Sequence, residues 1–323
     1  MRICSLLTLV CFFGIILSQF SYYIVLIFST TKNEKAKKSM RKIVFKKKHL
    51  IIASSVFLAI IILLVILCLV LIDNSTIVYQ DFYIKHNNTD NPNNIKIAHL
   101  SDMHFPKIKV DIQRLLKRLD EQDPDIIAIT GDLIDGSAKI EDCGVYEFIN
   151  KLKDIAPIYY VNGNHEANHK DAIYLYEHLL KNGAVLLNNQ SKNVRINNAR
   201  VTIIGLNDNT DYNSSFLKYN KQAKDNYKIL LAHRPEKWRT YTSDSNTIKP
   251  HLVLSGHAHG GQIRLLNTGL YAPNQGLFPK YDSGLFTDKK TNIKMIVSRG
   301  IGNSLFPFRS NNKPHVPIIT ISL

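Results

Sequence analysis

The sequence is short of cysteine, and its first 72 residues are short of acid. Of four cysteines, Cys4, Cys11 and Cys68 lie in apolar stretches, and Cys143 stands alone beyond residue 72. This excludes a disulfide within residues 73–323 and any thiolate-based structural zinc site there. Residues 1–72 hold one acid, Glu34, of the 26 in the chain, and ten of the 41 Lys and Arg. The formal net charge of +15 therefore belongs mostly to this stretch, and the remainder carries 31 bases against 25 acids. So small a surplus, with no basic stripe interleaved with aromatics, argues against a nucleic-acid partner. No internal repeat is present.

Charge is absent altogether from Leu50 to Ile72, an apolar run that at about 1.5 Å per residue crosses a hydrocarbon core of roughly 30 Å. A transmembrane helix is predicted over 50–72. A first transmembrane segment is predicted over 1–31, where Gln19, Tyr22 and Tyr23 also permit an interfacial position. Between the two, residues 32–49 form a basic loop with nine Lys or Arg against Glu34. Cationic flanks stay cytoplasmic, so the loop faces inward and residues 73–323 face outward. Met40-Arg41-Lys42, followed by Lys46 to Lys48, also reads as a start in its own right, leaving one signal anchor in the same orientation. Leu71-Ile72-Asp73 offers no small-residue cleavage site, so the anchor is expected to be retained. Residues 73–94 read as a polar tether with little to bury beyond Val78, Tyr79, Phe82 and Tyr83. The domain proper is then 95–323.

From Ile95 the pattern alternates between short apolar runs and helical faces. Buried strands are expected at 95–100, 125–130 and 158–161, and helices at 110–121, 146–152 and 172–181, with Gly183 as a stop. Later runs at 185–187, 194–196, 201–206, 228–232, 252–254, 293–298 and 317–322 are rich in β-formers. An α/β first half and a strand-rich second half suggest two sheets packed together with helices outside. Open α/β sheets bind ligands beyond the carboxyl ends of their strands.

Five motifs fall at such ends: Asp102-Met103-His104, Gly131-Asp132, Gly163-Asn164-His165-Glu166, His233, and Gly256-His257-Ala258-His259. Each alone has an ordinary explanation: a loop dipeptide, a turn, a helix cap. In one ordered set they supply Asp, Asn and His, which hold divalent cations side by side. One carboxylate can bridge two ions about 3.5–4 Å apart. Imidazole and carboxylate donors without thiolates suit Mn, Fe or Zn. Asp102 and His104 can meet one ion as the chain curls. A water between two cations ionises near neutral pH, and the resulting hydroxide attacks phosphorus in line. His165 is placed to stabilise developing charge or protonate the leaving oxygen.

This set resembles the calcineurin-like metallophosphoesterase superfamily, whose pattern D-x-H, G-D-x-x-D, G-N-H-[DE], H, G-H-x-H is matched without departure over residues 102–259. The resemblance implies a four-layer α-β-β-α sandwich and two divalent metal ions. Carried over by residue, it puts Asp102, His104, Asp132 and His259 on one ion. Asp132 again, Asn164, His233 and His257 hold the other, with His165 as catalytic helper. The tail, with Gly260-Gly261-Gln262-Ile263, Ala272-Pro273-Asn274-Gln275-Gly276 and Ser298-Arg299-Gly300-Ile301-Gly302-Asn303, is similar to a membrane-associated bacterial branch. Some members of that branch resemble enzymes that cleave the pyrophosphate of a nucleotide-linked acylated sugar.

Other residues carry weaker signals. His99 reads as a strand histidine packed in the sheet, and His169, His178, His251 and His315 as surface or packing residues. Asp135 and Glu166 orient a neighbour or cap a turn. Arg299 either contacts substrate phosphate or forms a structural salt bridge. The expected protein is a membrane-anchored, outward-facing phosphohydrolase acting on a phosphodiester or pyrophosphate bond, with a lipid-linked or envelope substrate favoured. A phosphomonoesterase and a catalytically idle, metal-bound envelope-recognition protein remain as alternatives.

Overall fold

The structure is a computed structural model that describes residues 34–86, 93–208, 210–212, 224–246, 248–303 and 306–323. The chain divides into two compact units, Met1–Leu67 and Cys68–Leu323. The first transmembrane segment expected at 1–31 lies outside the described residues. Helix α1 runs Glu34–Val70, so the stretch expected as a basic loop at 32–49 is helical from Glu34 onward. The segment contains no Gly or Pro to stop it, and Lys, Ala, Met and Arg all favour helix. Among the described residues, one helical stretch is long and apolar enough to cross a bilayer: His49–Leu67, with mean hydropathy 3.3.

The second unit is built on two six-stranded sheets, with strands numbered along the chain. The first contains β1 (Val78–Lys85), β2 (Asn94–Leu100), β3 (Ile126–Thr130), β4 (Ile158–Val161), β5 (Val185–Leu186) and β16 (His315–Ser322), in the order β1-β16-β2-β3-β4-β5. The second contains β6 (Gln190–Ile196), β7 (Ala199–Gly205), β8 (Tyr227–Leu231), β9 (Leu252–Ser255), β14 (Gly284–Thr287) and β15 (Lys294–Val297), in the order β14-β15-β9-β8-β7-β6. Both are mixed. In the first sheet β2, β3, β4 and β5 run parallel and β16 lies antiparallel to β2.

Helices α2 (Ile112–Glu121), α3 (Val145–Leu152) and α4 (Ala172–Lys181) cover the outer face of the first sheet. Helix α2 begins where the Asp111 carboxylate accepts N–H bonds from Gln113 and Arg114, and it buries Leu115, Leu116 and Leu119. Each such leucine contributes about 1.5–3 kcal/mol relative to exposure. A second apolar layer lies between the sheets, including Ile97, Ile126, Ile203, Ile229 and Leu254. Strands buried on both faces read as unbroken apolar runs, as Ile126–Thr130 does. The outer face of the second sheet is covered by a third cluster around Trp238 and Tyr241 of the four-residue helix α5 (Trp238–Tyr241). That fourth layer is thin: the helices expected outside the sandwich concentrate on the first sheet.

Strand β1 falls inside the stretch expected as a tether. It pairs with β16 along its whole length, from Val78 opposite His315 to Lys85 opposite Ser322. Only Phe82 and Ile84 of its eight residues are buried, which is why its sequence reads as polar. Two small hairpins, β10 (Arg264–Leu265) with β11 (Thr268–Gly269) and β12 (Tyr271–Ala272) with β13 (Gly276–Leu277), follow the last motif.

Candidate metal centre

The carboxyl ends of β2, β3 and β4, and those of β8 and β9, open into the motif loops, and the sandwich brings these loops together. Their approach requires glycine. A Cβ on Gly131 would sit 2.5 Å from the Cα of Gly163, so the Asp132 and Asn164 loops touch backbone to backbone. One on Gly256 would lie 2.9 Å from the Ser101 Cβ. Hydrogen bonds then lock the loops: Asp102 N–H donates to Gly131 O, His104 N–H to Asp132 O and Gly256 N–H to His233 O, each at 3.0 Å.

Five motif residues hold left-handed backbone conformations: Asp102, His104, Asp132, His257 and His259, with φ of 52°, 53°, 51°, 64° and 48°. This conformation costs L-residues roughly 1–2 kcal/mol each, and it persists only where the surroundings enforce it. Its concentration here aims the side chains into one space. Two sets of donors converge there. Ligand atoms of Asp102, His104, Asp132 and His259 lie within 4.8 Å of one another, and so do those of Asp132, His233 and His257. Asp132 belongs to both.

In the first set, His104 Nε2 lies 3.1 Å from His259 Nε2, and His259 Nε2 lies 3.4 Å from Asp102 Oδ1. In the second, His233 Nε2 lies 3.3 Å from Asp132 Oδ2, 3.2 Å from Asn164 Oδ1 and 3.1 Å from His257 Nδ1. His233 Nδ1 donates to Thr130 O at 2.7 Å, which leaves Nε2 to supply the lone pair. Facing imidazole nitrogens and carboxylates, buried and crowded to contact distance, are the donor set of a divalent-cation pair. The residues fit such a pair.

A sequence model of the calcineurin-like phosphoesterases matches residues 95–261, more than half of the chain. The chain belongs to this family. Its family is one of metal-dependent phosphoesterases that work with two metal ions. A metallophosphoesterase of Caenorhabditis elegans is 29% identical over 243 residues, 72% of this chain and 49% of the worm protein. A cow (Bos taurus) transmembrane protein with a metallophosphoesterase domain is 26% identical, covering 69% of this chain and 52% of its own length. Phosphodiesterase YaeI of Escherichia coli (strain K12) is 26% identical, covering 72% and 84%. The chain thus spans about half the length of the two animal relatives. Kinship reaches beyond the bacterial branch that the tail motifs resemble.

Electrostatics at this site suit cation binding. Burial keeps His104 neutral, its pKa lowered to about 4, and drives His257 and His259 well below the usual range. Neutral imidazoles are the ligating form. Burial opposes the Asp132 charge, yet His233, His104 and His165 hold its pKa well below that of an ordinary carboxylate. Burial also opposes charge on His233, and Asp132 with Asp102 overcomes it, raising the group to about 10. Cation and proton compete for this nitrogen. Burial pushes Asp102 up to about 6 against His233.

His165 stands at the rim, its ring 4.5 Å from that of His104. Its Nδ1 accepts the Gly136 N–H at 2.6 Å, so in the neutral ring the proton resides on Nε2. Asp135 lies beside it, with Oδ2 3.7 Å from His165 Nδ1, and its own Oδ1 is 2.8 Å from Lys107. Glu166 is buried and braces the loops: Oε2 accepts from Asp132 N–H and Gly163 N–H and Oε1 from Ile134 N–H, all at 2.9 Å. His99 is buried in the sheet against Thr130 Oγ1 at 2.8 Å. Arg299 does not join the converging donors; its side chain packs beside Gly260 and lines a separate cavity with Arg264 and Lys313.

Several contributors gave no motif signal. Arg309 is wholly buried, donating to Gly302 O and Arg299 O, with Nη2 3.3 Å from His259 Nδ1. Arg234 forms a two-pronged pair with Asp208, 2.8 Å on each side, and its Nη1 lies 3.4 Å from His257 Nε2. Asn274 Nδ2 is 3.1 Å from the same nitrogen. The sequence clues were the place of Arg234 next to the motif residue His233 and of Asn274 inside the tail run Ala272-Pro273-Asn274-Gln275-Gly276.

Proposed function

We propose that this chain is a membrane-anchored phosphodiesterase or pyrophosphatase with a dinuclear centre, acting on a lipid-linked or envelope substrate. Asp102, His104, Asp132 and His259 hold one ion, and Asp132, Asn164, His233 and His257 the other. The observation that carries this reading is the position of Asp132 in both donor sets, where one carboxylate can bridge. Bound there, two divalent ions supply Lewis acidity and lower the pKa of water toward neutrality. The protein supplies the rest. The Gly136 N–H fixes the His165 tautomer, so Nε2–H faces the substrate and can donate to the leaving oxygen. Arg234, held by Asp208, presents its remaining N–H groups toward a phosphate oxygen.

The membrane part of the reading rests on the apolar stretch His49–Leu67, on the basic run before it, and on the transmembrane name of the cow relative. The diester preference rests on the name of YaeI. With the basic run held inside, the catalytic domain faces outward.

The test uses the full chain in detergent, loaded with Mn, Zn or Fe, on bis-p-nitrophenyl phosphate and p-nitrophenyl phosphate. Diester turnover is expected to exceed monoester turnover. Asp132→Ala abolishes it along with bound metal, and His165→Ala lowers it by about 10²–10⁴ with both ions retained. Faster cleavage of the monoester, or full activity in His165→Ala, overturns the assignment.

A further inference from the structure

A cavity of about 550 Å³ opens where α1 ends, lined by Val70 and Leu71, by Arg264 and Leu266 of the β10–β11 hairpin, and by Arg299 and Lys313. Its charges do not cancel. Arg264 lies 3.0 Å from Asp282 Oδ2, and Lys313 lies 3.4 Å from Asp73 Oδ2. The Arg299 guanidinium has no hydrogen bond or ion pair among the described residues, and its Nε is buried without a partner. One cation is left over, and its side chain lines the cavity. An unpaired donor of this kind is costly to bury, and the planar guanidinium fork matches phosphate oxygens.

The place of the cavity in the chain narrows the source of that phosphate. Val70 follows Leu67, the end of the apolar stretch, by a length of chain reaching about 5 Å as helix and at most about 10 Å extended. The headgroup layer on one side of a bilayer is roughly 5–8 Å thick. Asn311 ties the hairpin to this exit: its N–H donates to Leu71 O at 2.9 Å and its side-chain amide to Arg264 O at 3.3 Å. At the hairpin turn, Leu266 is 92% exposed and Leu265 50% exposed, apolar side chains of the kind that enter a bilayer interface.

We propose that this cavity binds the phosphodiester headgroup of an anionic phospholipid through the unpaired Arg299 guanidinium, with Leu266 in the adjoining acyl boundary. The single surplus charge matches the single negative charge of such a headgroup. The inference rests on the membrane-anchor reading above and is independent of the metal chemistry.

The experiment reconstitutes the full chain in nanodiscs of phosphatidylcholine with a minority of phosphatidylglycerol and counts retained lipids by native mass spectrometry. The wild type is expected to retain phosphatidylglycerol about tenfold over phosphatidylcholine, a preference lost in Arg299→Gln. Leu266→Asp, at an exposed turn that Asp tolerates, is expected to weaken retention while leaving bis-p-nitrophenyl phosphate hydrolysis unchanged. Equal retention of both lipids by the wild type, or undiminished preference in Arg299→Gln, overturns the proposal. So does displacement of the lipid by millimolar inorganic phosphate, which assigns the cavity to a free anion. Flotation with pure phosphatidylcholine vesicles tests the anchor by itself. A chain that floats without lipid preference refutes the headgroup site alone, and one that fails to float refutes the anchor beneath it.

Discussion

Glu166→Gln tests whether the loops are held in place by one carboxylate. Glu166 is 1% exposed, and its two oxygens accept three backbone N–H groups, from Asp132, Gly163 and Ile134, each at 2.9 Å. Glutamine keeps the shape but carries one acceptor. Its best orientation turns the amide oxygen to Asp132 and Gly163 and leaves the Ile134 N–H facing an NH₂. Losing one bond to a charged group costs about 1.5–3 kcal/mol, and weakening two others to neutral strength about 1 kcal/mol each. Burying a neutral amide in place of a carboxylate returns part of this, because burial and Asp132 already push Glu166 up to about 7. The net expectation is a loss of about 3 kcal/mol, read as a lowered Tm for the metal-free chain. Metal affinity falls about 10–100-fold, since Asp132, the carboxylate common to both donor sets, hangs from the same loop. Thermal melts of the metal-free chain measure the first, and manganese titration with diester hydrolysis as readout measures the second. Unchanged stability together with unchanged metal affinity refutes the bracing argument.

Two further outcomes follow from geometry. Gly131→Ala places a methyl group on the Gly163 backbone at a position with φ of 89°, which costs about 2–4 kcal/mol; calorimetry is expected to show that loss, with metal binding weakened in parallel. His99 is wholly buried, and burial lowers its pKa from 6.5 to about 3. Between those values the unfolded chain takes up a proton that the native chain refuses. The contribution is therefore intact above pH 6.5 and is lost as pH falls toward 3, at about 1.4 kcal/mol per pH unit. Urea midpoints of His99→Asn are expected to fall less steeply with acid by about one proton, and an unchanged slope places the acid sensitivity elsewhere.

The converging donors were legible because metal chemistry admits few residue types and each sits close after an apolar strand. Asp102, Asp132 and His257 announce themselves by type and by neighbouring glycines. Strand β1 was illegible because its partner β16 is more than 200 residues away in sequence, and only Phe82 and Ile84 face the core. Nothing local in Phe308-Arg309-Ser310 distinguishes a buried guanidinium from a surface one. Its three partners, Gly302 O, Arg299 O and His259, are created by the fold. The sequence marks Glu166 as orienting a neighbour or capping a turn, but not which amides it reaches, because Asp132 and Ile134 lie on a loop from another strand. The basic run before His49 carries no helix stop, so charge alone misplaced the start of α1.

The pairing of β1 with β16 bears on whether this domain can be shed. With the chain anchored through α1 as proposed above, a protease cutting between β1 and β2 would sever the peptide chain and free nothing, because the anchor-side fragment keeps an eight-residue edge strand paired along its length with β16. Release requires a cut upstream of Val78. That short stretch is itself clasped, with Asp73 N–H on Arg309 O and Arg309 N–H on the Asn74 side chain. Under the proposed anchoring, the domain resists solubilisation by clipping, and turnover would proceed by extracting the anchor or unfolding the sheet.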